Sequence, residues 1–198
     1  MECNRKETGR HMGTVGKTIL MAALLAVNTL PLAAQRFTAG TDGVAWLALG
    51  TLNADASVAV SQHVSLHAGA ALNPWTWRKG NPDKQLQMRQ FQVWGGGRWW
   101  PWHVYSGWWA GMDARYMVYN TGGIIKRETE EGDAYGARLW GGYSVMLSEH
   151  WNLDLGLGVW GGWKQYTLYA CPLCGVLEEQ GAKVFVLPDA RVAVQLIF

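Results

Sequence analysis

The last ten residues restrict the architecture of this chain more than any other stretch. Phe198, Leu196, Val194, Val192 and Ala190 alternate with Ile197, Gln195, Ala193, Arg191 and Asp189. A period of two puts successive side chains on opposite faces of a strand, here one apolar and one largely polar. The pattern returns elsewhere. Val64, Leu66, Ala68, Ala70 and Leu72 oppose Ser65, His67, Gly69, Ala71 and Asn73, and Leu153, Leu155, Leu157 and Val159 oppose Asn152, Asp154 and Trp160. An all-β fold is expected. The 25 glycines and 13 tryptophans agree, because glycine is costly inside helices while tryptophan favours strands.

The first residues follow a different logic. Lys17 precedes the apolar run Thr18–Val27, and small residues lead to Ala34 before Gln35. A basic start, a short apolar core and small residues before a polar one make a cleaved signal peptide over residues 1–34. Met12 is an alternative start. Residues 35–198 then form the mature domain. Of the 17 basic and 15 acidic side chains, four and two precede the cleavage point, which leaves 13 of each sign. A neutral domain has no electrostatic footprint for nucleic acid. No later stretch has the 18 or more apolar residues of a spanning helix, so a membrane reading requires strands.

Eight strands are expected, beginning near Phe37, Leu52, Val64, Leu86, Trp108, Tyr135, Trp151 and Val184. Connections at 61–63, 101–107 and 148–150 are short. Those at 78–85, 120–133 and 167–183 are longer and more charged, and the loop near residue 51 is short. Aromatics gather at strand ends: Trp99, Trp100, Trp102, Trp108, Trp109, Trp151 and Phe198 at one rim, Trp75, Trp77, Tyr119, Tyr135, Trp163 and Tyr166 at the other. Aliphatic faces between aromatic bands, an even strand number and alternating loop lengths predict an eight-stranded antiparallel up-and-down transmembrane β-barrel, with both termini periplasmic. Its lumen is expected to hold a paired charge network of Asp42, Arg98, Asp113, Arg115, Arg138, Asp154, Asp189 and Arg191. Trp46, Trp94 and Trp140 would fill the remainder, leaving no open pore.

The strands Ala134–Leu147, Trp151–Val159 and Lys164–Tyr166, with Pro188 in the last strand, resemble an uncharacterised family of outer-membrane barrels from Bacteroides-type bacteria, filed as domain of unknown function 3575. That resemblance implies no catalytic residue and no cofactor. It implies a chromosomal context beside surface-fimbria components. The final strand is similar to the closing strand of outer-membrane barrels, which implies that Val194, Leu196 and Phe198 are the signal read by the barrel-insertion machinery.

Other motifs carry weaker chemistry. Cys171-Pro-Leu-Cys174 reads as a structural disulfide in an exported protein; free thiols, metal binding and redox work are the alternatives. His67 and Ser65 share a face, which allows acid–base or nucleophilic work on lipid, although an i, i+2 pair on one strand is weak evidence for a triad. His63, His103 and His150 near one rim allow a metal site. Glu128-Thr-Glu-Glu131 reads as a solvated loop able to meet lipopolysaccharide through divalent cations, or a protein.

The expectation from sequence is therefore a small integral outer-membrane barrel, not an enzyme, in a structural or partner-scaffolding role. Outer-membrane lipid, lipopolysaccharide, the insertion machinery and a surface-assembly protein are the expected partners, with no nucleic acid, metal or cofactor. A lipid-modifying barrel enzyme and a soluble lipocalin-like ligand-binding barrel are the alternatives.

Overall fold

The structure, a computed structural model, describes residues 37–79, 85–124, 128–171 and 175–198. The expected signal peptide lies outside them. The order is β1 Phe37–Asp42, α1 Gly43–Leu47, β2 Leu52–Ala59, β3 Val64–Asn73, β4 Thr76–Trp77, β5 Leu86–Trp99, β6 Gly107–Gly122, β7 Thr129–Met146, β8 Trp151–Tyr169 and β9 Leu177–Ile197. All described strand pairs are antiparallel and form one sheet in the order β3-β2-β1-β9-β8-β7-β6-β5-β4. A further pairing joins β3 to β5 over Val64–Asn73, so the hydrogen bonding returns on itself.

Alternation explains which face turns inward. On β8, Asn152, Asp154 and Trp160 are buried, while Leu155, Leu157, Val159 and Trp163 are exposed. On β9, Arg191, Ala193, Gln195 and Ile197 are buried, whereas Val192, Val194 and Phe198 are exposed. Charged and aromatic groups thus occupy the middle, and an aliphatic skin covers the outside. Glycines let the long strands come close. A Cβ on Gly136 would collide with the Gly161 carbonyl and the Gly162 Cα, and one on Gly162 with the Tyr135 carbonyl, so this facing pair of β7 and β8 must lack side chains.

The eight-stranded transmembrane barrel expected above is corrected by three findings. Nine strands are present among the described residues, one of them only two residues long. β1 and β2 have six and eight residues, short of the roughly 9–11 that a membrane-crossing strand needs. β1 pairs with β9 only from Ala193 to Ile197; from Leu177 to Val192 no described strand covers that edge of β9, so closure is partial. The readings as a transmembrane β-strand protein and as an integral outer-membrane barrel with a scaffolding role are corrected with it. No helix among the described residues is long and apolar enough to cross a membrane.

The first strand shows why alternation misled. Ala39, Gly43, Ala45, Leu47 and Leu49 keep a period of two, but the backbone leaves the sheet at Asp42. The Asp42 carboxylate accepts from Val44 N–H at 3.0 Å and caps the helical turn α1. Leu49 and Gly50 then take φ of 53° and 71°, the left-handed region that turns the chain back. Asp and Gly at 42–43 were the available signal for a cap. Trp46, expected inside, is instead half exposed and donates from Nε1 to Thr41 Oγ1 at 2.8 Å.

The segment 100–106 is a second correction. It is no mere turn: Trp100, Val104 and Tyr105 are buried with Trp109, Trp140 and Ile197. Trp100 and Trp109, expected on a rim, therefore belong to the interior, while Trp99, Trp102, Trp108 and Trp151 remain outside. Burying one indole removes about 200 Å² from water, an upper bound of about 5 kcal/mol. Tyr105 sits at φ 65°, and its carbonyl accepts from Asn152 Nδ2 at 2.6 Å. Tyr119 and Tyr166, expected at the opposite rim, are also buried.

Candidate functional site

Two ion-pair networks occupy the interior. In the first, Arg191 Nη2 donates to both Asp55 carboxylate oxygens at 2.9 and 2.8 Å, and its Nε donates to Asp154 Oδ2 at 3.1 Å. Arg98 Nη1 donates to the same Asp154 oxygen at 2.9 Å. No side chain here is more than 4% exposed. Two guanidinium groups face two carboxylates, so the cluster is neutral. Such a cluster persists because each charge has a partner, since isolated burial costs several kcal/mol per ion.

In the second network, Arg138 Nε and Nη2 donate to Asp113 Oδ2 at 2.9 and 2.6 Å. His67 Nε2 meets the same oxygen at 3.2 Å. Arg138 Nη1 continues to Asp189 at 3.1 Å, and Arg115 Nη2 reaches Asp189 at 2.8 Å. Burial holds the His67 imidazole below its ordinary range, outweighing the hydrogen bond to Asp113 that would raise it. His67 is then neutral and its Nε2–H donates to Asp113. Burial by itself would raise the Asp113 carboxyl, but the bonds from His67 and Arg138 overcome it and keep the group below the usual carboxylate value. This network opens outward: His67 and Asp113 are sealed, whereas the Arg115 and Asp189 side chains are 11% and 25% exposed.

Tryptophans bind the networks together. Trp140 receives Arg138 at 3.7 Å, Arg98 at 4.4 Å and Arg191 at 5.5 Å from its ring centroid. Arg115 lies between Trp160 at 5.1 Å and Trp94 at 5.7 Å. Such contacts strengthen away from water.

The expected charge residues therefore divide. Arg98, Asp154 and Arg191 meet in one cluster, and Asp113, Arg115, Arg138 and Asp189 in another. Asp42 joins neither, because it caps α1 and accepts the Val192 N–H at 3.2 Å. Asp55 and His67 were missed as members, although both stand on the polar face of their strands, which was the available signal. Ser65 accepts from Trp100 Nε1 at 3.0 Å; it and His67 are each committed to other partners, both fully enclosed. His63 and His103 contact the Trp100 and Val104 carbonyls, and among the described residues no three metal-binding side chains gather. Cys171 is disulfide-bonded; Cys174 lies outside the described residues. Val194 and Phe198 point outward, Leu196 is half-buried, and Phe198 N–H donates to the Phe37 carbonyl at 2.9 Å. Glu130 and Glu131, expected in a solvated loop, instead stand on β7 opposite Thr121 and Asn120 of β6. Glu130 accepts from Tyr119 Oη at 2.6 Å and pairs with Lys164; burial and this carboxylate push the Tyr119 hydroxyl's pKa up.

Above the short strands β1 and β2 lies a cavity of ≈ 180 Å³. It is lined by Val44 and Ala45 of α1, Ala48 just after it and Ala190 of β9, together with Trp94, Arg115, Arg138, Asp189 and Arg191. Two donors in this lining, Arg115 Nε and Trp94 Nε1, are buried without a protein acceptor. The cavity thus lies between the guanidinium-rich interior and the partly uncovered edge of β9, behind one five-residue helical turn.

An all-β protein with a sheet that returns on itself, a packed ionic interior and a polar side cavity beside it is the class these features define. The chain belongs to the family described as protein of unknown function DUF3575, whose model matches residues 19–198. No curated protein and no solved structure matches the chain.

Proposed function

We propose that this chain is a non-enzymatic ligand-binding protein, exported through a cleaved leader to the outer membrane of a Bacteroides-type bacterium, where lipid and lipopolysaccharide are its surroundings. Its ligand is an amphiphile. An acceptor-rich head group, such as a carboxylate, enters the side cavity, and the acyl chain lies on the aliphatic outer skin. The observation that carries this reading is the pair of unsatisfied donors, Arg115 Nε and Trp94 Nε1, in a cavity next to the uncovered β9 edge. A volume of ≈ 180 Å³ falls below the roughly 300–1,000 Å³ of a site that swallows a whole drug-sized ligand, so it suits a head group alone. The enclosure of His67 and Ser65 favours binding over lipid chemistry.

Titration with laurate, followed by tryptophan fluorescence, tests the assignment. Saturable quenching is expected, with an affinity at least about tenfold weaker in Arg115→Gln, equivalent to about 1.4 kcal/mol. Equal binding by the variant, or no saturable change, overturns it. Sedimentation of the native protein with outer-membrane fragments is expected for the location; recovery in the soluble periplasmic fraction overturns that part.

A further inference from the structure

The uncovered edge of β9 is a second feature with a specific fit. Backbone direction along it follows from its flanks. Ile197 N–H points to β8 and reaches His150 O at 2.8 Å, while Phe198 and Val192 N–H groups point the other way, to Phe37 O and Asp42. Even-numbered residues therefore present their amides to the uncovered side. Between Glu179 and Phe185 that side offers the N–H and C=O groups of Gln180, Ala182 and Val184, with no described strand opposite. A bulge at Glu178 ends the alternation there, and beyond it the Val176 carbonyl turns to β8 and accepts the Ala170 N–H at 3.0 Å. An uncovered edge of this length is a template for strand addition.

We infer that two copies of this chain join through β9, antiparallel about a two-fold axis at Gly181. Two constraints select this register. Hydrogen-bonded pairs on an antiparallel edge must match even with even residues here, which excludes half of the possible offsets. Of the rest, centring on Gly181 sets Glu179 opposite Lys183 of the other copy, and by symmetry does so twice. Opposite charges directly across strands are stabilising, and like charges are not. Gln180 faces Ala182 and Gly181 faces its own copy, so no like charges oppose each other in the paired segment 179–183, which the bulge at Glu178 limits on one side. Pro188, which has no N–H to offer the edge, lies beyond the paired segment. Gly181 itself is a non-hydrogen-bonded position, where the two Cα atoms come within about 4.5 Å.

Gly181→Cys in the full chain, purified in non-denaturing detergent and oxidised, tests the axis. A Cβ there meets only ordinary contacts with the Tyr166 ring and hydroxyl, the nearest at 3.5 Å. A disulfide-linked dimer is expected on a non-reducing gel. Val186→Cys, about 30 Å from its counterpart at about 3.3 Å per residue, is expected to stay monomeric. Charge reversal checks the register: Glu179→Lys weakens dimerisation about tenfold, and adding Lys183→Glu restores it. A monomeric Gly181→Cys protein, crosslinking equal at both positions, or no rescue by the double exchange overturns the inference. So does an extended peptide of foreign sequence found on this edge in place of a second copy.

Discussion

The two interior networks each pair two arginines with two aspartates, the second with His67 added, and have opposite circumstances. Around Asp154, each carboxylate and guanidinium is enclosed, and Trp100, Tyr105 and Trp109 close the space beneath. Around Asp189, the last pair is partly exposed and borders a cavity with spare donors. Charge pairing is the same device in both places, and the surroundings decide its use. Where Trp109 and Trp140 close over Arg98, the ions fill and fix the interior. Where β1 stops after six residues beside a 21-residue β9, the ions face an opening.

Removing a partner should separate the two regions most strongly. Arg191→Leu leaves Asp55 without its main guanidinium and Asp154 with Arg98 alone; a loss of about 3–5 kcal/mol in urea unfolding is expected. A loss below about 1 kcal/mol would erase the contrast. Gly136→Ala tests whether close strand approach supports the tall flank. Overpacking against the β8 backbone should cost about 1–3 kcal/mol without altering ligand affinity.

Acidity provides a smaller test. His67 is held neutral in the fold, so below its ordinary value of 6.5 the unfolded chain binds the extra proton first. Stability should therefore rise with pH through this range and fall as pH drops below about 6.5 toward the lower folded value. His67→Gln should flatten that increment in melting curves between pH 7 and 5; an unchanged pH slope would show that His67 is not its source. Arg115→Gln should have the smallest effect, about 1 kcal/mol on unfolding, because Asp189 is partly exposed and keeps its bond from Arg138. Affinity, not stability, is where that variant should differ.

Much of this was legible in the residues. Alternation in Val64–Asn73 and Trp151–Val159 marked strands and separated the outward aliphatics from the inward Asp154. Arg98, Arg138 and Arg191 were readable as inward for the same reason. Which acid each arginine meets was not readable, because Asp55 and Arg191 lie 136 positions apart and come together only through sheet closure. Periodicity also failed at Gly43–Leu47, where a capping carboxylate and a glycine outweighed an alternating pattern, and at Trp100–Tyr105, where local polarity gives no sign that a loop will turn into the interior.

The helical turn after Asp42 is the sill of the side opening. It is fastened at one end by its cap and at the other by two residues bent into a left-handed conformation, and it shares no ladder hydrogen bonds with the strands around it. Relatives that lengthen, shorten or restiffen these few positions can resize the entrance while every rung below stays in register. Variation in what such proteins hold should therefore concentrate in residues 43–51 and leave the buried ions alone.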